Sequence, residues 1–187
     1  SFGEDAHDDV TIRLTKADGV TAVSFQQVHG DSMMQHQVPV RCLPAVEWNA
    51  IREPTLPPPA ISVVLPDVKQ MRAIVSQYGR MSTDVEWECT PDGGLVMTIR
   101  EESVHLSGKY NGLQILPIDD VHPPRAVRVC LATKRLAHAL LIQEMDVIRC
   151  VASIVEEHAL VLQAFLPIDD GIVTVFLPVN SQHEAEN

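Results

Sequence analysis

Along most of the chain apolar and polar residues alternate one for one, the pattern of strands with one buried face. Val10, Ile12 and Leu14 alternate in VTIRLT, and Val23, Phe25 and Val28 follow in VTAVSFQQV. Val38, Val40 and Cys42 mark a third strand in QHQVPVRC. The ADG at 17–19 and the HGDSMM at 29–34 are rich in turn formers and separate the three. The pattern places Val10, Ile12 and Leu14 inward. Pro39 lacks an amide donor, which suggests an edge strand, or one whose amide side faces away from its neighbour.

The period changes to helical twice. In DVKQMRAIVSQYGR, Val68, Met71, Ile74, Val75 and Tyr78 recur every three to four residues, with Asp67 placed to cap the start and Gly79 to end it. Lys69, Arg72 and Ser76 share the opposite face. The second helix is TKRLAHALLIQ, opened by Thr133 and bearing Lys134 and Arg135. Each helix follows a short apolar strand, AISVVL at 60–65 and AVRVCL at 126–131, and each is followed by three alternating strands. The first trio carries Val85, Trp87 and Cys89, then Leu95, Met97 and Ile99, then Val104 and Leu106. A strand–helix–three-strand unit therefore occurs twice, about 66 residues apart. Antiparallel sheet with helices on one side predicts an α+β domain.

Residues 43–60 hold five of the 13 prolines, three of them consecutive at 57–59, and read as a connector. Inside it AVEWNAI predicts one helical turn, with Trp48 packed back as an anchor. The expected organisation is then 1–42 as three strands of one domain, 43–60 as connector, 61–180 as a second domain and 181–187 as a tail.

Composition narrows the chemistry. The net charge of −11 argues against a protein that coats nucleic acid through bulk positive charge, but not against bases gathered on one face. No apolar run is long enough to span a membrane. Cys42, Cys89, Cys130 and Cys150 sit in apolar stretches without metal-ligand spacing and predict buried, reduced thiols. No cofactor or metal site is expected. The pentapeptide LPIDD occurs at 116–120 and 166–170, so Asp119, Asp120 and His122, or Asp169 and Asp170, are the residues an enzyme reading would use. No phosphate loop or HExxH accompanies them. The copies lie 50 residues apart against the 66 of the longer repeat, and so read as two separate turns rather than a duplicated site.

The stretch from His36 to Val75 resembles the Hus-family subunit of the checkpoint clamp, the nine-one-one complex. The resemblance is carried by Val38–Pro44, Trp48, Glu53-Pro54 five residues later, and Leu65-Pro66 before the helix. It runs to about Tyr110 and resumes at 126–181, ending in VFLPVNS, about four-fifths of the chain. It implies a DNA-clamp (PCNA-like) fold, with sheets outside and helices on the inner face. It also implies a subunit of a heterotrimeric ring in DNA damage checkpoint signalling and repair, in the nucleus. The implied partners are two paralogous clamp subunits, double-stranded DNA bound without sequence preference, a clamp loader, and checkpoint or repair proteins. On this resemblance Lys69, Arg72, Arg80, Lys134 and Arg135 face DNA, with His138 an optional member. Val38, Val40, Val104 and Leu106 pack at subunit interfaces made by the edges of Gln35–Cys42 and Ser103–Tyr110. Trp48 borders the groove for partner peptides. A scaffold subunit without direct DNA contact is the alternative. Relative to that family the chain begins near the end of domain one, so the apolar faces of residues 10–42 are expected to be exposed.

Overall fold

The computed structural model describes residues 10–30, 32–118, 125–167 and 171–180. The chain divides into two compact units, 1–54 and 55–187.

The first unit is an antiparallel sheet of β1 (Val10–Ala17), β2 (Val20–His29) and β3 (Ser32–Pro39), in that order. Asp18 and Gly19 both take positive φ, 51° and 81°, which is what a two-residue hairpin turn between Ala17 and its partner Val20 demands. β3 begins earlier than the sequence pattern placed it, because His29 already pairs with Ser32 and the turn is only two residues long. Pro39 ends it, so Val40 and Cys42 lie beyond the strand, although the Val40 amide still donates to the Thr21 carbonyl at 2.8 Å. Register puts Ile12, Phe25 and His36 abreast, and beside them Leu14, Val23 and Val38. This apolar face is open: Val10, Ile12 and Leu14 are exposed, Leu14 by 68%. The inward placement that alternation gave these three is corrected, and the exposure implied by the family resemblance is what is found. Alternation identified the face correctly, but nothing among the described residues covers it. The short helix α1 (Ala45–Ala50) closes the unit, tied to the chain after β3 by a two-point Arg41–Glu47 ion pair.

The second unit contains β4 (Ile61–Val64), α2 (Val68–Tyr78), β5 (Asp84–Cys89), β6 (Leu95–Glu101) and β7 (Val104–Tyr110). The plan then repeats as β8 (Val127–Ala132), α3 (Thr133–Ala139), β9 (Arg149–Val155), β10 (Ala159–Phe165) and β11 (Ile172–Pro178), with a 3-10 segment, Leu140–Glu144, extending α3. The first strand of each repeat joins the sheet of the other. One sheet runs β11-β10-β9-β4, the other β7-β6-β5-β8, and all pairings are antiparallel. A single core results. Trp87, Met97 and Ile99 from one sheet, Ile154, Leu160 and Leu162 from the other, and Met71, Val75, Leu136 and Leu140 from the helical layer are all buried in it. Residues 114–116 extend the first sheet beyond β4 through a bridge between Val63 and Ile115.

The helix termini follow the sequence. Asp67 Oδ1 accepts the amides of Lys69 and Gln70, as its position predicts. Thr133 opens α3 as its first helical residue, its hydroxyl buried without a hydrogen-bond partner, and Ala132 holds the cap position. Gly79 ends α2 in a right-handed conformation, φ −64°.

Gly93, in the β5–β6 turn, is where the backbone tolerates no side chain. Its φ is +82°, and a Cβ there would fall on the Leu113 carbonyl, while the Leu113 amide donates to Gly93 O at 3.0 Å. Gly112 also has positive φ, +68°, but with open space around it. Gly93→Ala is therefore expected to cost at least about 2 kcal/mol, and Gly112→Ala only about 1 kcal/mol. Urea denaturation of the two variants checks the difference; equal midpoints would contradict it.

Candidate nucleic-acid interface

The helices α2 and α3 pack side by side over the core, and the extension of α3 packs on α2 as well. α2 buries Met71, Val75 and Tyr78, which turns Lys69, Ser76 and Gln77 out to solvent and leaves Arg72 half-buried. α3 buries Thr133, Leu136 and Ala139, leaving Lys134, Arg135 and His138 exposed. Tyr78 fixes the depth of α2 against β7: a Cβ at Gly108 would lie 3.2 Å from its hydroxyl.

Lys134, Arg135 and His138 line one wall of an open cavity of about 610 Å³, whose other wall is Val175–Pro178 of β11. His138 and Glu144 both line the adjoining cavity, and Glu144 in turn holds Arg72 Nη1 at 3.2 Å. Arg72, Arg135 and Lys134 are thus joined along one surface through Glu144 and His138. Lys69 precedes Arg72 by one helical turn on α2. Arg80 lies past the helix end, its amide donating to Gln77 O. The helical layer runs longer than the sequence pattern marked it, because α3 continues as a 3-10 turn to Glu144. Glu144 is the one carboxylate within α2, α3 and that turn, and it was missed because the apolar spacing ends at Gln143.

Three arginines of the second unit are paired with neighbouring carboxylates: Arg100 with Glu86 at 2.9 Å, Arg128 with Glu88 at 2.9 Å, and Arg125, before β8, with Glu156 at 2.7 Å. Arg149 of β9 instead lies over the Phe165 ring, and Arg13, Lys16 and Lys109 on the strands make no ion pair among the described residues. Lys69, Arg80, Lys134 and Arg135 make no ion pair among the described residues.

The remaining sequence candidates fall into place separately. β3 and β7 are both terminal strands of their sheets. Val38 and Leu106 are exposed, Val40 and Val104 partly so. Trp48 does not anchor the connector; it is 65% exposed on α1, near exposed Val46 and Ile51. The connector residue that packs down is Leu56, against Val155, Ala159 and Val161. A tryptophan outranked a leucine by size, and the spacing of the prolines gave no sign of which would reach the sheet. Asp119, Asp120, His122, Asp169 and Asp170 lie outside the described residues. No cluster able to hold a metal occurs among the described residues.

Two solved structures share the fold of this chain. Proliferating cellular nuclear antigen from Entamoeba histolytica has a TM-score of 0.68 at 14% identity, over 95% of this chain and 66% of that one. PCNA from Thermococcus kodakaraensis follows with a TM-score of 0.64 at 15% identity, over 93% and 65%. The fold is accordingly that of the PCNA-like clamps, α+β with mostly antiparallel sheet. Residues 3–181 match the family described as Hus1-like protein, and the chain belongs to that family. Among curated relatives, checkpoint protein hus1 of Schizosaccharomyces pombe is 28% identical over 176 residues, 84% of this chain and 61% of that protein. Checkpoint protein HUS1 of Homo sapiens is 26% identical over 129 residues, 66% of this chain and 46% of that protein. The chain spans less than two thirds of the length of these relatives.

The cysteines divide as well. Cys89 and Cys150 are buried and Cys130 half-buried, and burial pushes all three thiols up to about 11. Cys42 is exposed, against the expectation that it was buried. At pH 8 a thiol with pKa near 11 is about one part in a thousand thiolate. Iodoacetamide is expected to label Cys42 rapidly and Cys89 and Cys150 only on unfolding, as peptide mass spectrometry would read. The raised thiols stabilise the fold fully below their unfolded value near 9 and lose that contribution as pH rises toward 11. Tyr78 and Tyr110, raised mainly by burial, act in the same direction. Denaturation midpoints should be flat up to about pH 9 and fall above it; a midpoint that rises across that range would contradict the assignment.

Proposed function

We propose that the chain is a non-catalytic subunit of a ring-shaped heterotrimeric DNA clamp, acting in the nucleus in DNA damage checkpoint signalling and repair. Lys69, Arg72, Arg80, Lys134 and Arg135 contact the phosphates of encircled duplex DNA. The observation that carries this reading is the concentration of bases on the helical layer. In an acidic chain, that layer carries Lys69, Arg72, Arg80, Lys134 and Arg135, with Glu144 the one carboxylate within α2, α3 and the turn after α3, and four of these bases make no ion pair among the described residues. Bases that contact phosphates without reading base edges give affinity without sequence preference, which a sliding ring requires. Membership of the Hus1-like family, and the checkpoint names of its relatives, support the pathway.

The free edges of β3 and β7 suit strand addition to two paralogous subunits, with Val38, Val40, Val104 and Leu106 supplying side-chain packing. A clamp loader and checkpoint or repair proteins are the further partners. Exposed Trp48, with Val46 and Ile51, offers them an apolar contact on the connector.

Changing Lys69, Arg72, Lys134 and Arg135 together to Glu in the assembled clamp is expected to speed its loss from nicked circular DNA at least about tenfold, with a shallower salt dependence. Unchanged retention would refute DNA contact and leave a scaffold role. Hydrogen exchange across 103–110 is expected to slow when the partner subunits are added; identical exchange with and without them would rule out the β7 edge.

A further inference from the structure

The Arg72–Glu144 pair is a loose one. Arg41, Arg100 and Arg125 each meet their carboxylate through two contacts, and Arg128 meets Glu88 through its Nε at 2.9 Å. Arg72 meets Glu144 through one, Nη1 to Oε1 at 3.2 Å, and its Nε is buried with no hydrogen-bond partner. The carboxylate is 63% exposed and the arginine 33%. Glu144 thus occupies an anion position beside a guanidinium that retains unused donors, in the layer where the other bases are unpaired. The pair also bridges the two repeats, from α2 to the turn after α3.

We propose that Glu144 is an internal counter-anion that holds Arg72 back from the nucleic-acid face, and that a backbone phosphate takes the guanidinium from it on binding. This rests on the reading of the helical layer as a DNA interface. An exposed single-point ion pair is weak and screened by salt, so it can be exchanged. A phosphate offers the guanidinium two oxygens in place of the one it now engages. The exchange leaves Glu144 unpaired and facing the incoming backbone, so it acts against binding twice. It occupies a base that would otherwise add to the interface, and its own charge repels the phosphates. Glu144 sets how strongly the layer grips DNA, in the direction of weaker grip.

The test uses the full 187-residue chain and a fluorescein-labelled duplex of about 30 base pairs, read by anisotropy from low to moderate KCl. Glu144→Gln removes the charge and keeps the shape. It is expected to tighten binding about two- to five-fold at the lowest salt and to steepen the salt slope by up to about one phosphate contact. Glu157→Gln, in the exposed β9–β10 turn, makes the same change in net charge and should give less than half of that gain. In an Arg72→Gln background, Glu144→Gln should lose its effect on the slope. Affinity and slope equal to those of the unmodified chain overturn the proposal, as does an equal gain from Glu157→Gln, or no binding by either protein. The variant with Glu at positions 69, 72, 134 and 135 separates the two levels. If it loses binding while Glu144→Gln changes nothing, the interface stands and the counter-anion role falls. If it binds as before, the interface itself is wrong.

Discussion

The second unit depends on the reciprocal exchange of its first strands. β4 finds its strand partner in β9 and β8 finds its own in β5, so neither half-repeat can complete its sheet alone. The helix after each exchanged strand is then laid over the joint core, next to the helix of the other half. The pairing of α2 with α3 follows from this topology, and so does a surface to which both repeats contribute bases. Had each repeat kept its own first strand, Arg72 and Glu144 would belong to separate cores.

Electrostatics then distinguishes the helical layer by its scarcity of acids. β5 carries Asp84, Glu86 and Glu88 on the face that looks away from Trp87 and Cys89, and the neighbouring strands bring arginines to two of them. Such exposed pairs contribute little stability. Their effect is to neutralise Arg100 and Arg128. The net charge of −11 therefore describes the molecule as a whole and misdescribes its helical layer, where Glu144 is the single acid.

What was legible from sequence tracks how local the determining physics is. The alternation of Val85, Trp87 and Cys89, and of Leu95, Met97 and Ile99, predicted a buried face, and all six are buried. Asp67 as a cap was legible because the amides it binds are two and three residues away. Alternation alone put Val10, Ile12 and Leu14 inward, because it says which side of a sheet is apolar and not what lies against it; their exposure followed only from the family resemblance. The placement of Leu56 rather than Trp48 against a sheet, and of Glu144 beside Arg72, depends on contacts between residues far apart in the chain. Of the candidate site, the basic residues could be named from the helical period, but their pairing state could not.

The hydroxyls of Ser62 and Ser153 meet at 2.7 Å across 91 residues of chain. As the polypeptide is synthesised, β4 emerges about 85 residues ahead of β9 and its ladder with that strand cannot close until β9 follows. Until then Ile61 and Val63 lack the sheet they enter in the finished unit. Loop closure of that length must precede the contacts that reward it, which makes folding slow relative to helical proteins of similar size. The exchange that joins the two halves into one core thus imposes an interval in which an unpaired strand is open to the wrong partner.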